Sequence, residues 1–187
     1  MPLSSANRHA VAIDLGTTTI AVALVGLPGG EVIARGGTLN PQRTHGLDVV
    51  SRLGYACRSA ANLAELQRLV NGELSRLVGE LAATAGRDPA ALERVVIAGN
   101  PTMSHLLLGL PVEALAHPPY RPRHTGSHLT TTTELGWGVG VPAYVFPSPG
   151  GFVGGDTIAF LYGLGIRGAG SGAGEDEKDV SPRTSDP

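Results

Sequence analysis

"AIDLGTTTIAVALV", residues 12–25, decides how this chain is read. An apolar run reaches Asp14, crosses Gly16, stacks Thr17, Thr18 and Thr19, and re-enters an apolar run at Ile20. A turn between strands needs a residue that tolerates unusual backbone angles, and glycine supplies it. It needs neither a carboxylate before the glycine nor three hydroxyls after it. Two readings follow. One is a tight hairpin whose second strand opens with β-formers. The other is an anion-binding turn, in which Gly16 admits a phosphate close to the backbone and the threonines offer hydroxyl and N–H donors. Asp14 repels a phosphate, so this reading places Mg²⁺ or an attacking water between them. Mg²⁺ takes oxygen ligands and keeps several of its waters.

Outward from this stretch the pattern is mixed α/β. Residues 9–15, 20–27 and 31–38 read as strands, with Leu27-Pro-Gly-Gly as a hairpin signal between the last two. Two of them are nearly all apolar, which fits a sheet covered on both faces. Residues 41–46 read as a loop. Residues 47–56 read as a short helix with Asp48 in its first turn. The longest periodic stretch spans 62–85: Leu63, Leu66, Leu69, Val70, Leu74, Leu77, Val78 and Leu81 share one helical face. Asn62 is its expected cap, paired with Glu65, and Gly86 its expected stop. Asp88-Pro89 opens a one-turn helix. Residues 94–98 form a buried-type strand running into Gly99-Asn100-Pro101, followed by a short helix at 103–109. Residues 111–128 look irregular, and strands follow at 129–133 and 141–146. "GGFVGGDTIAFLYGLGI", residues 150–166, reads as a glycine loop opening a helix.

That loop repeats the theme of the first. Gly154, Gly155, Asp156 and Thr157 stand at a helix N-terminus, where N–H groups and the helix dipole favour an anion. The plainer reading makes Asp156 an N-cap. Asn100, after Gly99, either meets a phosphate, ribose or water, or caps the helix behind it. Two Gly/Asp/Thr loops facing each other would clamp a nucleotide's phosphates from both sides.

Composition narrows the field. The chain has 187 residues, 42% hydrophobic and only 4% aromatic, so its core is aliphatic. A net charge of -2 offers nothing to nucleic acid. Apolar runs are strand-length, too short for a membrane span, and residues 1–8 lack the apolar core of a signal peptide. Cys57 is the one cysteine, so this chain alone builds no disulfide, iron–sulfur cluster or thiolate zinc site. The cytoplasm is the default compartment. His105, amid leucines, reads as a packed residue. His117, His124 and His128 lack neighbouring metal ligands, and Trp137 reads as a loop anchor. The expected organisation is a flexible 1–8, a lobe over 9–166, and a disordered tail over 167–187 that holds a single Val.

Four blocks, "AVAIDLGTTTIAVALV", "TLNPQRTHGLDVVSRLGYA", "VVIAGNPTMSHLLLGLPVEALAHPPYRP" and "FPSPGGFVGGDTIA", carry a resemblance. Together they resemble the ATPase domain of reductive activators of corrinoid enzymes, within the actin, sugar-kinase and heat-shock-chaperone (ASKHA) superfamily. Such activators use ATP hydrolysis to help return cob(II)amide to cob(I)amide. The resemblance implies a ribonuclease-H-like α/β fold, the first lobe plus the start of the second, with ATP and Mg²⁺ as ligands. Asp14 and Asp156 would be catalytic, Asp14 holding Mg²⁺ through water. Gly16, Thr17, Thr18, Thr19, Gly154, Gly155 and Thr157 would bind phosphates. Gly99 and Asn100 would lie on the cleft floor, and Asn40, Asp48 and Arg52 at the cleft edge or a partner surface. The implied partners are a corrinoid protein, a chain supplying the second lobe or a ferredoxin-like domain, or a second copy. Neither nucleic acid nor membrane is implied. The ferredoxin-like domain and the adenosine turn of the family find no counterpart here, so a truncated domain with impaired turnover is expected. Rival readings are another ASKHA activator, a kinase fragment, or a non-catalytic module that binds a corrinoid protein.

Overall fold

The computed structural model describes residues 8–138 and 140–165. The expected tail over 167–187 and all but Arg8 of the expected flexible N-terminus lie outside these residues. Six strands form one mixed sheet: β1 (His9–Leu15), β2 (Thr19–Gly26), β3 (Val32–Leu39), β4 (Leu92–Gly99), β5 (His128–Thr131) and β6 (Pro142–Val145). Their spatial order is β3-β2-β1-β4-β6-β5. β1 pairs antiparallel with β2 and parallel with β4. β6 extends the sheet parallel to β4, and β5 closes it antiparallel. Parallel β1 and β4 therefore end side by side, with Leu15 opposite Gly99. In an open α/β sheet, ligands gather at such carboxyl ends.

Among the described residues, four α-helices connect the strands, α1 (Val49–Ala56), α2 (Ala60–Thr84), α3 (Pro101–Leu108) and α4 (Glu113–Ala116), and α5 (Gly155–Gly163) follows the last strand. Val11, Ile13 and Leu15 of β1 and Ile20, Val22 and Leu24 of β2 point to one face. There they meet Leu66, Val70 and Leu74 of α2 and Leu106 and Leu107 of α3 in one core. Among the described residues, the expectation of a sheet covered on both faces is corrected in part, over β1 and β2. On the opposite face Ala12, Asp14 and Ala21 are exposed, and Ala159 of α5 lines a cavity there with Ala12, Ala21 and Ala98. Apolar composition misled because alanine leaves little area to bury, so a run of small residues does not require a cover.

Other differences concern ends. Ser59, not Asn62, caps α2, its side chain accepting the Asn62 N–H at 3.1 Å. Gly86, at φ 63°, follows α2 and closes it: its N–H donates to Ala83 O and that of Arg87 to Ala82 O. Residues 41–46 are not a plain loop; Pro41–His45 form a 3-10 helix with Asn40 as cap. The segment read as irregular holds α4. Trp137 is the anchor expected of it: buried, its Nε1 donates to Asn71 Oδ1 on α2 at 3.2 Å. No helix among the described residues is long and apolar enough to cross a membrane.

Leu74 is wholly buried where α2 meets the sheet. Leu74→Ala removes its methyl groups and leaves a cavity, so it should cost about 3 kcal/mol, read as a fall in the urea midpoint at unchanged m-value.

A candidate phosphate-binding cleft

The turn at residues 16–18 is fixed from behind. Its three carbonyls point inward and each has a donor. Asn40 Nδ2 donates to Gly16 O at 2.9 Å, and the Asn40 N–H donates to Thr18 O at 2.9 Å. Arg52 donates through one terminal nitrogen to Thr17 O at 2.6 Å and through Nε to Gly46 O at 2.9 Å. Its other terminal nitrogen lies 3.4 Å from Met103 Sδ. Both side chains are fully buried. A planar guanidinium with fixed donors can span three acceptors at once, which an ammonium cannot. Among the described residues, no acceptor is bonded to the N–H of Gly16, Thr17 or Thr18. The donor side of the turn faces away from these braces. Gly16 fits for a steric reason: a Cβ there would stand 2.4 Å from Thr19 O.

This placement corrects one expectation. Asn40 and Arg52 are at neither a cleft edge nor a partner surface; they are internal braces. No local pattern in the sequence marks either residue as buried. Asp48 is exposed and caps α1, its Oδ1 accepting the Ser51 N–H at 2.7 Å. That bond holds its carboxyl below its ordinary value.

Asn100 stands between the two loops. Its Nδ2 donates to Thr17 Oγ1 at 3.0 Å, while its Oδ1 accepts the Met103 N–H at 3.0 Å and caps α3. The cap reading of Asn100 holds, and the structure adds a bond to the turn. The second loop sits against the same residue. A Cβ on Gly154 would lie 2.6 Å from Asn100 Cα and 2.8 Å from Gly99 O. Only glycine allows the loop to lie this close to the end of β4. Gly154, not Asp156, is the N-cap of α5, and no side chain caps that helix. Asp156 sits in the first turn and its Oδ1 takes the Thr157 N–H at 2.7 Å. The open first turn and the exposed Asp156 and Thr157 face solvent.

Asp14 projects to the same side of the sheet as α5. Burial, and then the negative charge of Asp156, push its carboxyl above the ordinary carboxylate value. The neighbouring carboxylate thus adds to the cost of ionising Asp14. A divalent cation between them reverses that cost. Gly16, Thr17, Thr18, Thr19, Gly99, Asn100, Gly154, Gly155 and Thr157 are gathered with Asp14 and Asp156 at the carboxyl end of β1 and β4. A cavity of about 950 Å³ opens beside them, lined by Thr17, Asn100, Val50, Leu53, Tyr120 and Phe152 among others. Sequence reasoning missed it. The Val50 and Phe152 side chains at its rim are 74% and 85% exposed.

A mixed sheet with two glycine loops meeting at one asparagine defines a mixed α/β protein with a cleft at its strand ends. The chain belongs to the RACo middle region family, which it matches over residues 9–168. It is 29% identical over 162 residues to the corrinoid activation enzyme RamQ of Eubacterium limosum, a match covering 83% of this chain and 27% of that one. It also superimposes on a solved structure of a reductive activator for a corrinoid, iron–sulfur protein. There the TM-score is 0.81 at 30% identity, over 87% of this chain and 26% of the other. The chain is thus homologous to reductive activators of corrinoid proteins and spans about a quarter of the length of these relatives.

Arg52→Ala strips donors from Thr17 O and Gly46 O inside the fold. A buried acceptor left unpaired costs about 1–3 kcal/mol, so the change should lower the urea midpoint strongly. Arg52→Lys should recover only part of it, because one ammonium cannot serve all three acceptors.

Proposed function

We propose that the turn at 16–18 and the loop at 154–157 form the phosphate-binding part of an ASKHA-type Mg·ATP site. On this reading the site drives reductive activation of a corrinoid protein. The observation that carries it is the arrangement around Asn100: a turn with its carbonyls bonded inward, a helix N-terminus packed against the same residue, and two carboxylates on that side. Thr17, Thr18 and the N–H groups of the turn would hold the terminal phosphates from one side. Gly155, Asp156 and Thr157 would hold them from the other through the first turn of α5. The carboxylate pair fits Mg²⁺: burial, and then the charge of Asp156, raise the Asp14 carboxyl, and a cation would offset both. Mg²⁺ would neutralise charge on the transferring phosphoryl group. Asp14, through water, would hold the ion and orient the attacking water, with Asp156 supporting it. The corrinoid protein as partner rests on homology to activators of such proteins.

A second reading has its own observation. The large apolar-rimmed cavity beside Thr17 favours a surface that binds another protein segment without turnover. The two readings separate on one substitution. Calorimetric titration of the chain with ATP should show binding that strengthens with Mg²⁺, and Asp14→Ala should weaken the Mg²⁺-dependent part at least about tenfold. Binding to a corrinoid protein that survives Asp14→Ala, with no ATP binding by the unsubstituted chain, would favour the second reading instead.

The site also has a pH signature. The Asp14 carboxyl lies above its ordinary value in the folded chain. Below that raised value it is protonated and no longer attracts a cation. The Mg²⁺-dependent part of ATP affinity should therefore fall as pH drops. The fall should begin at a higher pH than an isolated surface carboxylate would give, and Asp156→Asn should move it downward.

A further inference from the structure

Among the described residues four buried side-chain polar atoms have no partner; one is Gln42 Oε1, and the other three line one small cavity. They are His105 Nε2, His124 Nε2 and Ser148 Oγ. His105 belongs to α3, the helix that Asn100 starts. His124 lies in the segment leading to β5, and Ser148 lies just past β6. His105 and Ser148 are 2% and 3% exposed. The cavity they share is about 10 Å³, the space of a single water. Its other walls are largely apolar: Leu108, Leu110, Val145 and Phe146.

The hydrogen-bond arithmetic closes with one water. His105 Nδ1 lies 2.8 Å from Pro101 O, which accepts only. The proton is therefore assigned to Nδ1, and Nε2 presents a lone pair to the cavity. A water has two hydrogens and two lone pairs. It can donate to His105 Nε2, donate to His124 Nε2 and accept from the Ser148 hydroxyl. All three atoms are then satisfied, with no other group required. Three orphaned polar atoms in one place are otherwise costly.

We propose that this cavity is a binding site for one ordered water shared by His105, His124 and Ser148, and that this water ties the 124–128 segment to α3 only while the His105 imidazole is neutral. This site is separate from the phosphate-binding reading and does not depend on it.

The electrostatic surroundings give the site its pH dependence. The titratable groups facing the cavity are His105 on α3 and His124 and His128 on the far side. The His124 and His128 rings meet edge to face at 5.3 Å. Glu134 lies outside the cavity, its carboxylate bonded to Thr130 and Thr131 and held below its ordinary value by those bonds and, last, by His128. No carboxylate lines the cavity among the described residues. A proton on the buried His105 ring would thus be an uncompensated charge. Burial pulls His105 below the ordinary histidine value, and His124 pulls it the same way. With its folded value depressed, His105 favours the folded state above the ordinary histidine pKa. That stability is lost as pH falls through the ordinary value, because the unfolded chain takes up the proton first.

The test has three readouts on the full chain. A high-resolution crystal structure at neutral pH should show one water within hydrogen-bond reach of all three atoms. Nitrogen NMR of the imidazoles should show His105 as the Nδ1–H tautomer, staying neutral below the pH at which an exposed histidine protonates. The urea midpoint should drop between about pH 7.5 and about pH 5.5, and His124→Asn should reduce that drop to about half or less. Ser148→Ala is the second variant, kept in case the histidine change perturbs the segment. It should lower the midpoint at both pH values and leave the pH-dependent drop in place. A cavity without water density, a His105 that titrates at or above the ordinary value, or an undiminished drop in His124→Asn would overturn the proposal. So would a thermal shift on adding zinc chloride that His124→Asn abolishes, since that would assign the cavity to a metal ion.

Discussion

Everything at the cleft depends on how the turn at 16–18 is held. A backbone turn has two sides, one of carbonyls and one of N–H groups, and only one of them can serve an anion. Here the carbonyl side is bonded inward by two wholly buried side chains, Asn40 and Arg52. That bonding fixes which side faces out. It also links distant elements. Asn40 caps the 3-10 helix after β3, Arg52 lies on α1, and both reach Met103 of α3. The turn is therefore braced by three helices and not merely by its own strands.

The second loop is set by steric closeness rather than by hydrogen bonds. Gly154 lies so near the end of β4 that any side chain would strike Asn100. This brings the start of α5 beside β1 and places Asp156 within electrostatic reach of Asp14. Neither carboxylate is paired with a basic side chain among the described salt bridges. A structural role would favour such a pairing. The arrangement instead leaves two carboxylates beside the turn and the first turn of α5, which is the ground for the cation in the proposed site.

Much of the fold was legible in the sequence, for identifiable reasons. β1, β2 and the helix through Leu74 show clean periodicity, and the hairpin between β1 and β2 is marked by Gly16. The two loops were visible because glycine, aspartate and threonine recur in the same combination. The coverage of the sheet was not legible, since alanines such as Ala12 and Ala21 count as apolar whether or not anything covers them. The braces were not legible either. A buried arginine such as Arg52 is rare, and only the three-dimensional meeting of its guanidinium with Thr17 O and Gly46 O explains its burial. The water-sized cavity between His105 and Ser148 joins residues far apart in sequence, and no local pattern announces it.

The central claim is that two loops, joined through Asn100, receive phosphates together. The most direct measurement is amide NMR of the chain on addition of Mg·ATP. The account predicts that the amides of residues 16–19 and 154–157 shift together and saturate at the same ligand concentration. Shifts confined to one loop, or to the apolar cavity near Val50 and Phe152 with both loops unmoved, would contradict it.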